Sequence, residues 1–346
     1  MTPVLVLMAV LWGGGALLRV PLRVRWGMVG GLWLAVVGLH LALPDPHPLR
    51  LATGGDAQGW MALGVVAALV LGYRKMLSGL RNKAAPAVEV AATAGAFRAA
   101  ELDRYARHIL LREIGGPGQR RLKDARVLVV GAGGLGSPAL LYLAASGVGV
   151  IGVIDDDVVE ASNLQRQIIH TDQRIGMDKV QSAAIAMTAL NPFIEVRPYK
   201  RRLDETIAAG LIGEYDLVLD GSDNFDTRYL VNRMCAAAGK PLISGAITQW
   251  EGQVSLFDPV RGSPCYECVF PLRPAPGLVP TCAEAGVAAP LPGIIGALMA
   301  MEAVKHITGA GQTLAGRLMI HDALFSEVRV IGVRKRADCA VCGVTH

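Results

Sequence analysis

Two hydrophobic rhythms divide the chain. Residues 2–18, 27–43 and 59–73 are apolar stretches without Lys, Arg, Asp or Glu, each near the lower limit of the roughly 17–25 residues a helix needs to cross a bilayer core. Beyond residue 100 the pattern changes to short β-branched runs separated by helical ones. Strands are expected near 127–130, 150–155, 194–199, 216–220 and 241–245, with helices over 138–146 and 290–307. Alternation of this kind predicts an α/β fold with a mostly parallel sheet. A β-rich second half is expected from 253–258, 317–322 and 327–333.

The flanks of the first three stretches orient them. Trp26 and Trp60 stand at segment starts and Tyr73 at a segment end, where amphipathic rings favour the interface. Residues 19–26 carry three Arg, and four basic residues follow Tyr73, whereas 44–58 holds one Arg and two Asp. Positive charge stays inside, so the N-terminus is expected outside, with three spans and the catalytic remainder facing the cytoplasm from the inner membrane. A signal peptide would carry a basic start, and no Lys or Arg precedes the first run. Buried helices of a soluble protein are the other reading. His40 is the lone ionisable group within the spans, near an end, which reads as an interfacial residue. The Ala-rich stretch after residue 83, with Pro86, reads as a linker, giving a membrane anchor over 1–83, a linker over 84–98 and a domain over 99–346.

Composition sharpens this division. The 346 residues are 52% hydrophobic and 18% charged, against about 45–50% and about 25% in ordinary soluble domains, which excludes a disordered chain. The net charge of +5 is unevenly placed: residues 1–85 hold eight Lys/Arg against two Asp, and the remainder holds 26 basic against 27 acidic residues. A body of net −1 lacks the basic face of a nucleic-acid binder, so no nucleic-acid partner is expected.

Candidate chemistry begins after the first strand. Gly131, Gly133, Gly134 and Gly136 form G-x-G-G-x-G between strand and helix, where glycines let backbone approach phosphate at a helix N-terminus. The second strand ends at Asp155, placed to meet ribose hydroxyls. Ser162, Asn163, Leu164, Gln165 and Arg166 follow, then Lys179 at a helix start, and Asp223-Asn224 after the strand at 216–220. Two cations and a second carboxylate suit a triphosphate with Mg²⁺ better than a dinucleotide, because an attacking carboxylate needs the α-phosphate charge neutralised.

This motif set, with Arg104–Arg112 upstream and residues 244–253 and 290–305 downstream, resembles the MoeB/ThiF/HesA family, bacterial relatives of ubiquitin-activating enzymes, over roughly residues 100–346. The resemblance implies a homodimer that adenylates the C-terminal Gly-Gly carboxylate of a small ubiquitin-like sulfur carrier and releases pyrophosphate, serving molybdopterin or thiamine biosynthesis. It implies ATP contacts from Gly134, Asp155, Asn163, Arg166 and Lys179, a Mg²⁺-linked Asp223, and an Arg107 that enters the partner subunit's site. Asp156 departs from MoeB-like relatives, which often carry an apolar residue there. A nicotinamide-dependent oxidoreductase explains the glycines and Asp155 but leaves Arg166 and Lys179 without work. A relative resembling tRNA threonylcarbamoyladenosine dehydratase would share the ATP site but should show a basic surface.

Six cysteines complete the inventory. Cys265/Cys268 and Cys339/Cys342 are C-x-x-C pairs that together supply four thiolates for a structural Zn²⁺, clipping the end of the chain to the domain; disulfides are the competing reading. The resemblance implies the same two pairs for zinc. Cys235 lies in an apolar helical run and reads as inert. Cys282, between Pro280 and Gly286, is a candidate nucleophile toward an acyl-adenylate or a sulfur acceptor. No room for a rhodanese domain follows Cys342, so the sulfur donor is expected to be a separate protein.

Overall fold

A computed structural model of the chain describes residues 2–18, 20–83, 97–274 and 285–343, in two compact units, 1–91 and 92–346. Cys282 and most of the expected linker lie outside the described residues.

The first unit contains helices α1 (Thr2–Leu17), α2 (Leu22–Ala42), α3 (Pro48–Thr53) and α4 (Ala57–Lys83). Within α2 and α4, Arg23–Ala42 and Ala57–Met76 are long and apolar enough to cross a membrane; α1, at 16 residues, is about 24 Å long and falls short of a core of about 30 Å. The expectation of three similar segments thus resolves into two long helices and one short one. Few of their apolar side chains meet each other. Val4, Val36 and Trp60 form a small buried cluster, while Leu5, Val65 and Leu69 point outward. Helix α2 begins five residues before the apolar stretch because Arg25 is accommodated locally: its Nε donates to the Val20 carbonyl at 2.9 Å and its guanidinium lies 5.7 Å from the Trp12 ring.

In the second unit, α5 (Ala99–Ile109) and α6 (Gly115–Asp124) precede β1 (Arg126–Val130), α7 (Gly136–Ser146), β2 (Val150–Ile154), α8 (Lys179–Leu190) and β3 (Glu195–Tyr199). Next come α9 (Glu205–Gly213), β4 (Leu217–Asp220), α10 (Phe225–Ala238), β5 (Leu242–Ile247), β6 (Glu251–Phe257), α11 (Tyr266–Val269), α12 (Pro290–Thr308), β7 (Arg317–Asp322) and β8 (Glu327–Gly332). All eight expected strands are present, within about two residues at each end. They make one sheet, ordered β3-β2-β1-β4-β5-β6-β7-β8, parallel from β3 to β5 and antiparallel beyond.

Period-two alternation explains the layering. Val127 and Val129 of β1 join a core with Leu140 and Leu143 of α7 and Ile295 and Met299 of α12. Leu128 and Val130 face the other way, onto Ala208 and Ile212 of α9 and Val231 of α10. Burial of each such aliphatic side chain contributes about 1.5–3 kcal/mol, so a strand covered on both faces is anchored firmly. The order reverses at β1: the chain winds outward to β2 and β3, then crosses to β4. Between β1 and β4 the connections diverge, and the carboxyl ends of these strands frame a crevice. Register aligns that edge, with Val130 opposite both Ile154 and Asp220.

Candidate active site

The crevice is a cavity of about 740 Å³, within the range of about 300–1,000 Å³ usual for small-molecule sites. Its floor is the turn leaving β1. Gly131 holds φ +96°, closed to most side chains, and a Cβ on Gly136 would stand 1.9 Å from the Gly131 carbonyl oxygen. Asp155, at the end of β2, fastens the turn: its Oδ2 accepts from the Ala132 N–H at 2.8 Å and its Oδ1 from the Asp157 N–H at 2.9 Å. Burial raises the Asp155 carboxyl above its ordinary value, against the lowering by these N–H groups and by Lys179. From the other side, buried His170 accepts or donates at Ser182 Oγ and donates to the Ala132 carbonyl, both at 2.9 Å. Burial lowers its pKa, with Lys179 and Arg174 acting in the same direction.

Cations and carboxylates converge above this floor. Lys179 is 5% exposed at the start of α8, and its Nζ lies 2.7 Å from Asp157 Oδ2. Arg166 enters from the segment after β2, its guanidinium resting on the Ser162 carbonyl and Asn163 Oδ1 at 3.3 Å each. Asp223 is exposed on the opposite wall, after β4. Asn224 is committed to the fold through its oxygen, which caps α10 by accepting from the Thr227 N–H at 2.9 Å. Asp155, Asp156 and Asp157 place carboxylate oxygens within 4.8 Å of one another at the mouth.

The cavity therefore brings together Gly131, Gly133, Gly134, Asp155, Arg166, Lys179, Asp223 and Asn224 of the expected set. Gly136 lies behind it, starting α7, while Ser162, Asn163, Leu164 and Gln165 form a short turn outside the lining. The turn's contribution is to hold Arg166. Arg107 is exposed on α5, away from the cavity.

Sequence reasoning assigned no site role to several residues here. Asp157 pairs with Lys179, and Gln167 lines the cavity with a buried Oε1 that has no partner among the described residues. Arg228 sits under the Asp223 loop, 5% exposed. A charged residue four positions after an N-cap Asn carries no sequence mark of burial; its distance of eight residues from Asp220 was the available signal.

The four paired cysteines also meet. Sγ separations are 3.9 Å for Cys265–Cys268, 3.6 Å for Cys265–Cys339 and 3.4 Å for Cys268–Cys342, and all four sulfurs lie within 4.8 Å. Four thiolates about 2.3 Å from a tetrahedral Zn²⁺ would stand about 3.8 Å apart, so the donor set fits that ion.

Residues 105–341 match the sequence model of the ThiF family. The chain is 50% identical over 247 residues to the sulfur carrier protein adenylyltransferase of Thermus thermophilus, covering 70% of this chain and 91% of that protein. It is 49% identical over 245 residues to the SAMP-activating enzyme E1 of Haloferax volcanii, covering 71% and 90% respectively. Among solved structures, E. coli MccB with ATP shares the fold at a TM-score of 0.61 and 24% identity, over 70% of this chain and 74% of that one.

Proposed function

The chain belongs to the ThiF family, and from that premise we propose that it spends ATP to adenylate the C-terminal Gly-Gly carboxylate of a ubiquitin-like sulfur carrier. The observation that carries the assignment is the meeting of Arg166, Lys179 and Asp223 over one glycine turn at the point where the sheet order reverses.

The chemistry follows from charge. A carboxylate oxygen attacks the α-phosphorus, the bond to the α–β bridging oxygen breaks, and pyrophosphate leaves with that electron pair. Both reactants are anions, so the approach is repelled until cations neutralise the phosphates. Lys179 and Arg166 supply two positive charges. Asp157 holds Lys179 near 2.7 Å until phosphate replaces it. Backbone N–H groups at the start of α7 receive phosphate oxygens, which Gly133 and Gly134 permit by having no side chain. Asp223 lines the same cavity as the clustered carboxylates of Asp155–Asp157, and in this reading it would help hold a Mg²⁺ ion that shares the triphosphate charge. Arg107, exposed on α5, belongs in this reading to a homodimer in which it reaches the partner's nucleotide. In this reading the Cys282 thiolate attacks the acyl carbon of the adenylate, forming a thioester as the bond to the phosphate oxygen breaks and AMP leaves. The carrier serves molybdopterin or thiamine biosynthesis.

The test is ATP–pyrophosphate exchange with a panel of Gly-Gly-ending carriers. One carrier is expected to support exchange that Asp223→Asn abolishes while binding of the carrier persists, and that Cys282→Ala leaves intact. Exchange retained in Asp223→Asn would overturn the role of that carboxylate.

The first unit suits an anchor in the inner membrane. Helices α2 and α4 have only 11% and 6% of their apolar windows buried, and Arg74 and Lys75 lie in the last turn of the second span with further basic residues beyond. By the positive-inside rule the adenylating unit faces the cytoplasm.

A further inference from the structure

One face of α10 touches both the nucleotide crevice and the cysteine cluster. Arg228 and Asn232 are one helical turn apart on that face, 5% and 2% exposed. Asn232 holds the Cys265-x-x-Cys268 turn by three contacts. Its Oδ1 accepts from the Tyr266 N–H at 2.8 Å, while its Nδ2 donates to Glu267 Oε1 at 3.3 Å and to Cys265 Sγ at 3.8 Å. Arg228 holds the other end. Its guanidinium donates to the Ser222 carbonyl at 2.7 Å and to Ser244 Oγ at 3.5 Å, and lies 3.6 Å from Asp220 Oδ2. Asp220 in turn accepts from Ser222 through N–H at 3.0 Å and Oγ at 2.5 Å. Ser222 directly precedes Asp223.

Tyr266 closes the circuit. It lies between the two cysteines of the first pair, lines the nucleotide cavity, and presents its ring 5.8 Å from the Arg228 guanidinium. The helix between these ends is stiff, being 14 residues long, capped by Asn224 at its start and by Gly239 at φ +66° at its end. A buried guanidinium has few alternative placements, because every lost contact exposes the desolvation cost of the charge.

We propose that metal loading at Cys265, Cys268, Cys339 and Cys342 sets the position of the Asp223 loop through α10, with Asn232 and Arg228 as the positioning residues. Four thiolates drawn to one ion fix the 265–268 turn; Asn232 and the Tyr266 ring transmit that fixation to Arg228, and Arg228 clamps the carbonyl next to Asp223. The cluster then acts on nucleotide binding as well as on the end of the chain. The inference rests on the crevice being an ATP site.

The experiment uses the full-length protein and measures ATP affinity by calorimetry without any carrier, alongside zinc release to a metallochromic chelator. Removing zinc is expected to weaken ATP binding about tenfold or more, the scale of effects from groups outside the ligand shell. Asn232→Asp, which keeps the acceptor and loses the donor, is expected to speed zinc release by about 10–100-fold and weaken ATP binding together. Arg228→Lys is expected to bind ATP weakly whether zinc is present or removed, because the link is already cut. Coupling between sites is reciprocal, so saturating ATP should raise the equilibrium zinc affinity of the wild type, measured by competition with the chelator, by the same factor as zinc strengthens ATP, and leave it unchanged in Arg228→Lys. ATP affinity that stays the same after zinc removal from folded protein, as judged by circular dichroism, overturns the coupling. Failure of zinc-loaded protein to bind ATP at all would instead overturn the nucleotide site on which it rests.

Discussion

The glycine turn offers a graded test because its three central positions differ in the room they leave. A Cβ on Gly133 would lie 3.7 Å from Gln167 Nε2, on Gly134 it would lie 3.1 Å from Pro292 Cβ, and on Gly136 it would lie 1.9 Å from the Gly131 carbonyl oxygen. Contacts below 3.0 Å are essentially never seen, so in Gly136→Ala the turn must retreat by about 1.1 Å. Such overpacking costs about 1–3 kcal/mol, and for a unit of this size that lowers Tm by about 2–12 °C. A shift of this size also misplaces the N–H groups that receive phosphate and is expected to weaken ATP binding about 100-fold. Gly133→Ala makes only an ordinary van der Waals contact with Gln167 in the free protein and should melt with the wild type, yet its methyl occupies the space where phosphate approaches the backbone. Its ATP affinity should fall about tenfold or more with Tm unchanged. Gly134→Ala lies between, pressing on α12. Melting by circular dichroism and calorimetric ATP titration on the three full-length variants read the series. A Gly136→Ala protein that melts with the wild type and binds ATP normally would refute the reasoning.

Acid should loosen the same turn through His170. Its folded pKa is below the ordinary 6.5, so the neutral ring is favoured and its stabilisation is complete above that value and lost as pH falls from about 6.5 through the folded pKa. His170→Gln is expected to flatten Tm against pH in that window; an unchanged slope would exclude His170 as the cause, and Asp155, whose raised pKa acts in the opposite sense, is common to both proteins. For the anchor, the full chain should stay with membranes after alkaline carbonate extraction, while a chain starting at residue 92 should be released; full-length protein in the soluble fraction would refute the membrane assignment.

Much of the domain could be read from sequence because buried parallel strands leave a plain trace. The run 217–220 is apolar on both faces and ends in residues that suit a strand terminus, so both its existence and its neighbours at 221–224 were legible. The glycines, Lys179 and Asp223 were found because phosphate chemistry requires those residue types at strand and helix ends. What escaped was polar burial. Arg228 and Asn232 have the composition of a solvent face, and only tertiary contacts with Asp220, Ser222 and the cysteine turn reveal them. The opposite error applies to the start of α2, where Arg23 and Arg25 ended the apolar pattern although the helix continues through them. Arginine side chains long enough to turn back along the helix do not interrupt its backbone.

The cysteine cluster also imposes an order on the making of the protein. One pair of ligands lies just after β6 and the other beyond β8, so no complete donor set exists until the chain has been synthesised through Cys342. Every earlier element, including the glycine turn and both long apolar helices, is synthesised before the second cysteine pair. A chain truncated before Cys339 could build most of the sheet and still lack the ion. An ion held by all four thiolates can therefore be captured only after synthesis has passed Cys342.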